Sequence, residues 1–316
     1  MAKNIEKAGT RLKGVFIMNS FSIVVDSNCD LPPEYIQEHG IEVLSMPFDL
    51  DGRAHDLGYW QEISAKDYYD ALRNGSVAKT SQINPGLFTL SFTEYAQQGK
   101  DALFLILSSG LSNTYQSALV ALSEVKKLSE CAIYPIDSLS ATTGHGLLVM
   151  QAVKKREEGW SAAETAAWLE EKKHSCLAFF TVDDLMYLHR GGRLSKLSAI
   201  AGSVLGVKPV LNFAPDGTLN LKEKVRGRKA ALELMTSQLK RSLNPNTELD
   251  TVLITHTDCL QDAQVLADMV KAAVAVRHVI IMMMGPIIGA HLGPGAVTLV
   301  FEADMTREEY EKRFYA

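Results

Sequence analysis

Apolar residues recur along the chain as short β-branched runs separated by stretches of helical period, the alternation expected of an α/β protein. Phe21-Ser-Ile-Val-Val-Asp26 reads as a strand that ends in polar residues, after which Leu31-Pro32-Pro33 opens a short helix. A second run, Ile41 to Leu50, reads as one strand ending at the turn dipeptide Asp51-Gly52. Ser64-Ala-Lys-Asp67 has N-cap spacing with an acidic residue at N3, and the helix it starts is predicted to end near Asn74-Gly75. Ala102–Leu107 and Cys131–Ile136 lack polar alternation, as strands buried on both faces do, and each precedes a helical pattern. The first half therefore reads as a parallel β-α-β-α-β unit.

The Ser161-Ala-Ala-Glu164 capping box starts a helix that runs to about Lys173, and a strand over Ser175–Thr181 follows. Beyond it, strands are expected near 208–213, 218–225, 252–256, 278–284 and 296–302, with helices near 227–242, 258–275 and 306–314. The first two strands form a hairpin at Asp216-Gly217. The resulting division is an extension over 1–20, an N-terminal α/β domain over 21–176 and a C-terminal α/β domain over 177–316. Residues 1–20 are read as a disordered or artificially added extension, with Met18 a candidate natural start.

Composition narrows the class. A length of 316 residues suits two domains, and 22% charged with 47% hydrophobic residues excludes a long disordered or collagen-like chain. A formal net charge of −5 gives no general attraction to nucleic acid or anionic lipid. Cys29, Cys131, Cys176 and Cys259 are widely spaced, which suggests a reduced, cytoplasmic setting and no metal site. The most apolar stretch, Val279 to Ala290, is interrupted by Gly285-Pro286 and falls short of the roughly 20 residues of a membrane span.

No phosphate cradle of the G-x-x-x-x-G-K-[ST] or G-x-G-x-x-G kind is present, and Gly144-His145-Gly146 reads as close helix packing. Gly110-Leu-Ser112-Asn-Thr114, between a strand and a helix, fits three roles: a nucleophile elbow, a helix N-cap at Ser112, or a hydroxyl that holds an anion at a helix start. Lys79-Thr80-Ser81-Gln82 places hydroxyls in a polar loop. His291 is the titratable residue of a glycine-rich connection from Gly285 to Gly295, expected to join two strands without structure of its own. His189-Arg190-Gly191-Gly192-Arg193-Leu-Ser195-Lys196 gathers cations around two glycines. It suits an anion, an acidic partner or a solvated helix C-cap. Arg226 and Arg228 precede a helix, where cations oppose the macrodipole and have no evident stabilising role.

In order along the chain, Val25-Asp26-Ser27, Asp30-Leu31-Pro32, Lys79-Thr80-Ser81-Gln82, Leu107-Ser-Ser-Gly-Leu-Ser112, Ile136-Asp137-Ser138, Gly191-Gly192-Arg193-Leu-Ser195-Lys196, Lys208-Pro209 and Gly289-Ala-His291 resemble the DegV family of bacterial fatty acid-binding proteins. The resemblance runs from about Phe21 to the C-terminus. Ile83 stands where a proline is usual and Asn113 where a glycine is usual; neither change removes a hydroxyl. The resemblance implies a two-domain fold, an N-terminal parallel-sheet α/β domain plus a C-terminal α/β sandwich domain, with one long-chain fatty acid between them. It implies that Thr80 and Ser112 bond the carboxyl group, with Ser81, Arg193 and His291 nearby. It also implies a separate fatty acid kinase as partner; because a kinase site is acidic or metal-rich near its phosphates, Arg190, Lys196 and Arg226 are expected to form a positive docking rim. No cofactor is implied. The competing readings are a lipid or thioester hydrolase using Ser112 and His291, which needs Asp26 or Asp137 to orient the histidine, and a non-lipid small-molecule sensor.

Overall fold

The computed structural model describes residues 21–56, 60–126, 132–193 and 206–315. The expectations for residues 1–20, Cys131, Ser195 and Lys196 lie outside the described residues. The chain begins β1 (Ser22–Asp26), α1 (Pro33–Glu38), β2 (Ile41–Leu44), β3 (Phe48–Leu50), β4 (Arg53–His55), α2 (Ala65–Arg73) and β5 (Ala78–Thr80). It continues α3 (Pro85–Gln98), β6 (Ala102–Ile106), α4 (Thr114–Val125), β7 (Ile133–Asp137), α5 (Thr142–Glu157) and α6 (Ala162–Lys172). The remainder is β8 (Cys176–Thr181), α7 (Met186–Arg190), β9 (Val207–Phe213), β10 (Leu219–Arg226), α8 (Arg228–Arg241), β11 (Glu248–His256), α9 (Leu260–Ala273), β12 (Ala275–Met283), α10 (Pro286–Leu292), β13 (Val297–Glu302) and α11 (Arg307–Tyr315).

Three sheets result. A parallel sheet has the order β2-β1-β6-β7, a mixed sheet the order β10-β9-β8-β13-β11-β12, and a small antiparallel sheet the order β4-β3-β5. All five residues of β6 are buried, which explains the absence of alternation in its sequence. The division expected at 176/177 falls at the first residue of β8, where the mixed sheet starts. One apolar core lies between the parallel and mixed sheets, and a second is closed by α8, α9 and α11 on the far face of the mixed sheet.

Helix α5 packs against both large sheets, on β1 and β6 from one side and on β8, β11 and β13 from the other. Gly146 allows this approach, since a side chain there would come within 2.6 Å of the Cys29 carbonyl. The Ser64 cap and the Ser161–Glu164 capping box both form as their spacing requires.

Two expectations are corrected. The run Ile41–Leu50 is not one strand: it breaks at Ser45–Pro47, and its halves pair in different sheets. The break is fixed where Met46 N–H donates to Ser27 Oγ at 2.9 Å and Ser81 N–H donates to the Pro47 carbonyl at 3.0 Å. The segment from Gly285 to Gly295 is not an unstructured connection, because it contains α10, with Pro286 in its first turn and Gly293 at its C-cap with φ of 68°.

The first half of the chain holds the start of α10 in place. Tyr69 Oη donates to the Met284 carbonyl at 2.7 Å, and Tyr68 Oη donates to the Pro286 carbonyl at 2.9 Å. Gly285 N–H donates to Asp30 Oδ1 at 2.9 Å. Gly289 faces Tyr69 so closely that a side chain there would sit 2.5 Å from the phenol oxygen. Tyr69→Phe leaves the buried Met284 carbonyl without its donor and is expected to lower the unfolding free energy by about 1–3 kcal/mol. Urea denaturation checks this as a lower midpoint with an unchanged slope.

Candidate functional site

Between the two large sheets lies a cavity of about 400 Å³. Met46, Leu107, Phe180, Phe213, Ile287 and Ile288 are among its apolar lining, and its polar lining includes Thr80, Ser112, Arg193 and His291 as well as Gln82, Asn113, Thr142 and Thr298. Helix α10 contributes Ile287, Ile288, His291 and Leu292, the spacing of one helical face. The tyrosine and aspartate contacts at the helix start thus set the position of His291.

Thr80 ends β5, and its Oγ1 lies 2.8 Å from His291 Nε2. Burial first, and then the charge of Arg193, push the His291 pKa down to about 4, so the ring is neutral at pH 7. Nδ1 is buried and has no partner among the described residues. A buried N–H rarely goes without an acceptor, which assigns the proton to Nε2 and makes it the donor to Thr80 Oγ1. The Thr80 hydroxyl hydrogen is then free to donate to a ligand in the cavity. Gly191 lets the ring approach, because a side chain there would lie 2.2 Å from Nδ1.

Arg193 is half-buried; its Nε donates to the Leu111 carbonyl at 3.0 Å and its Nη1 to the Gly191 carbonyl. The guanidinium therefore spans from the second half of the chain to the loop carrying Ser112. That loop is fixed from two further sides. Asp26 Oδ2 accepts from Leu107 N–H at 2.7 Å, and Asp137 Oδ1 accepts from Ser109 N–H at 3.1 Å. On the third side, Ser108 Oγ donates to the Gly217 carbonyl at 2.8 Å, and Gly110 packs against the Gly217–Thr218 peptide of the β9–β10 hairpin.

These contacts revise several sequence expectations. Ser112 is not the N-cap of α4: Asn113 holds that position, and the Ser112 Oγ accepts from Thr114 N–H at 3.3 Å and sits 2.9 Å from Thr114 Oγ1. Asp26 and Asp137, the candidates to orient His291, are instead engaged with backbone N–H groups of the loop and its neighbours. Among the described residues no carboxylate bonds His291. Burial pushes the Asp26 pKa up to about 7 against the opposing bonds from Leu107 and Asn28. Ser81 is exposed and lines the cavity, while Ile83 is buried in the core.

The remaining cations separate. Arg190 is exposed, its guanidinium 4.6 Å from the Tyr187 ring centre. Arg228 does have a stabilising role at the start of α8, since it bonds Asp262 Oδ2 at 2.9 Å and the Gly295 carbonyl at 2.6 Å. Arg226 is exposed at the far end of β10 from Leu219, the residue of that strand that lines the cavity. Seven residues of strand separate the two by about 23 Å, and Arg226 does not line the cavity. The parts that sequence reading missed are Tyr68, Tyr69 and Asp30, whose partners lie more than 200 residues away, and the apolar face of α10. The spacing Ile287, Ile288, His291, Leu292 carried a signal for the latter.

No described helix is long and apolar enough to cross a membrane. The sequence pattern of the family given as "Uncharacterised protein, DegV family" matches residues 20–304. A DegV domain-containing protein of Clostridium perfringens is 37% identical over 289 residues, covering 91% of this chain and 99% of that protein. A DegV lipid binding protein from Thermotoga maritima is similar in structure, with a TM-score of 0.80, 29% identity, and coverage of 91% of this chain and 99% of that one. A DegV family protein from Thermus thermophilus, named for fatty acid binding, gives a TM-score of 0.82 at 26% identity, covering 90% and 99% of the two chains.

The depressed His291 pKa has a definite sign for stability. The unfolded histidine takes up a proton near pH 6.5, whereas the folded one resists until about pH 4, so stability is lost as pH falls through that window. Relative to His291→Gln, the wild type is expected to lose up to about 3 kcal/mol between pH 7 and pH 4. Urea titrations of both proteins across that range check it; parallel curves would show that burial does not perturb His291.

Proposed function

The chain belongs to the DegV family, and from that premise we propose that it is a carrier that holds one long-chain fatty acid in the cavity between its sheets. The observation that carries this reading is a largely apolar cavity of about 400 Å³ whose polar lining includes Thr80, Ser112, Arg193 and His291. Complete burial of a C16 chain is worth on the order of 10 kcal/mol gross, at roughly 0.8 kcal/mol per CH₂. The tail supplies the affinity. A carboxylate buried without partners would cost several kcal/mol, and the free hydroxyl hydrogen of Thr80, the Ser112 hydroxyl and the Arg193 charge offset that. The relatives from Thermotoga maritima and Thermus thermophilus are named for lipid and fatty acid binding.

In this reading the carboxylate is offered to a separate fatty acid kinase in the cytoplasm, which converts it to an acyl phosphate. The absence of a phosphate-cradle motif in the sequence favours such a division of labour. Arg190 and Arg226 are exposed and available to a partner, and Lys196 lies outside the described residues. Ser112 serves as a hydroxyl contact, since His291 is committed to Thr80 and has no orienting carboxylate among the described residues.

Denaturing extraction of the purified protein, followed by mass spectrometry, is expected to yield about one long-chain fatty acid per chain. Thr80→Val should weaken fatty acid binding about tenfold, the size of one lost hydrogen bond to a charged group. Absence of lipid together with no uptake of added fatty acid would overturn the carrier reading, and an acyl adduct on Ser112 would make the protein a hydrolase. Arg226→Ala should leave fatty acid content unchanged and slow phosphorylation by the partner kinase, increasingly so at higher ionic strength. Equal kinetics across a salt series would reject a docking role for Arg226.

A further inference from the structure

Two of the hydroxyls that line the cavity belong to a separate hydrogen-bonded group. Thr142, at the start of α5, and Thr298, on β13, are only 4% and 3% exposed. Thr298 pairs across the sheet with Phe180 and shares a strand face with Val300, both apolar residues of the same cavity wall. Among the described residues no hydrogen bond joins Thr142 or Thr298 to Thr80, Ser112, Arg193 or His291. Both instead meet Thr255. Its Oγ1 lies 3.3 Å from Oγ1 of Thr142, 3.3 Å from that of Thr143, and in closer contact with that of Thr298. A hydroxyl has one hydrogen and two lone pairs, so Thr255 donates to one of these neighbours and accepts from the other two. Asp30 decides which, because the Thr142 hydroxyl donates to its carboxylate and has no second hydrogen for Thr255. Thr255 therefore donates to Thr142, while Thr143 and Thr298 donate to Thr255. All four hydrogens are then engaged. Thr298 Oγ1 also accepts from Thr255 N–H at 3.3 Å, which leaves Thr142 and Thr298 with one lone pair each and no hydrogen to offer.

We propose that Thr142 and Thr298 form a second polar contact for the ligand, one that selects a long-chain fatty acid carrying a hydroxyl group along its chain. The proposal rests on the fatty acid reading above and names the class of acyl chain. A hydroxyl entering an apolar cavity gives up its bonds to water and is penalised unless it finds a partner there. The two threonines supply acceptors in an otherwise apolar part of the wall, and an O–H on the chain is the donor they lack. A keto oxygen at the same carbon is an acceptor only, so it meets the lone pairs without a hydrogen between and is disfavoured. An unsubstituted methylene neither gains nor breaks a bond at this point. Valine has nearly the shape of threonine, and at position 298 it would keep the wall filled while removing the acceptor.

The test is equilibrium binding to the delipidated full-length chain, comparing octadecanoic acid with its hydroxy and oxo derivatives substituted at successive carbons along the chain. At one carbon or a few adjacent ones the hydroxy acid is expected to bind about fivefold or more tighter than the oxo acid, the size of one hydrogen bond between neutral groups. Thr298→Val should remove that preference and leave octadecanoic acid bound as in the wild type, whereas Thr298→Ser, which keeps the hydroxyl, should retain it. Should Thr298→Val fail to fold, Thr298→Ala makes the same comparison, and the wild-type series needs no variant. Hydroxy and oxo acids bound equally at every carbon, or a preference that survives the loss of the Thr298 hydroxyl, would overturn the proposal. Wild type that binds none of these acids would remove the fatty acid reading itself, and with it this proposal. Binding of octadecanoic acid without any preference for a hydroxyl removes only the threonine contact.

Discussion

The place of His291 at the polar end of the cavity depends on three buried peptide groups at the start of α10 having partners. The carbonyls of Met284 and Pro286 and the N–H of Gly285 lie inside the protein, where an unpaired backbone group costs about 1–3 kcal/mol. Their partners are Tyr69, Tyr68 and Asp30, all from the other half of the chain. Helix α10 spans only seven residues, too short to be stable alone, so these contacts and its apolar face decide where it sits. His291 follows from the position of the helix, and the Thr80 contact follows from His291.

The polar end is arranged for holding a ligand. A serine nucleophile needs a base that is itself oriented by a third group, and here the available carboxylates are committed to the loop that bears the serine. Asp26 and Asp137 therefore fix the position of Ser112 while remaining outside any proton relay to His291. Thr80 is polarised by a neutral imidazole, and Arg193 contributes charge without direct pairing to a carboxylate among the described residues. This gives a set of donors in a site lined largely by apolar side chains.

Much of the secondary structure was legible because local rules govern it. The uninterrupted apolar run of β6, the Ser161–Glu164 box and the Asp216-Gly217 hairpin each carry their signal within a few residues. The small sheet was not legible: β3, β4 and β5 have three residues each, too few to establish a period of two. The split of Ile41–Leu50 turned on Pro47 and on contacts from Ser27 and Ser81, which no window around the run contains. Helix α10 was marked by a proline inside its start and a glycine past its end, but its glycine content suggested a loop. Gly289 is tolerated there because it packs against Tyr69, 220 positions away in sequence, a reason that no local reading supplies. For the site, the residue types at 80, 112, 193 and 291 were readable from the resemblance, whereas the pairing of Asp262 with Arg228 emerged only from the fold.

The contact from Asp30 to Gly285 spans 255 positions, and those from Tyr68 and Tyr69 span 218 and 215. During synthesis the first sheet can assemble while its aspartate and tyrosines still face water, since their partners have yet to be made. The binding cavity is therefore a late event in the life of the chain, completed only when nearly all of it has been translated. Pairings of such long range are slow to find, and a molecule stalled or cut before residue 284 would retain strands and helices yet have no pocket.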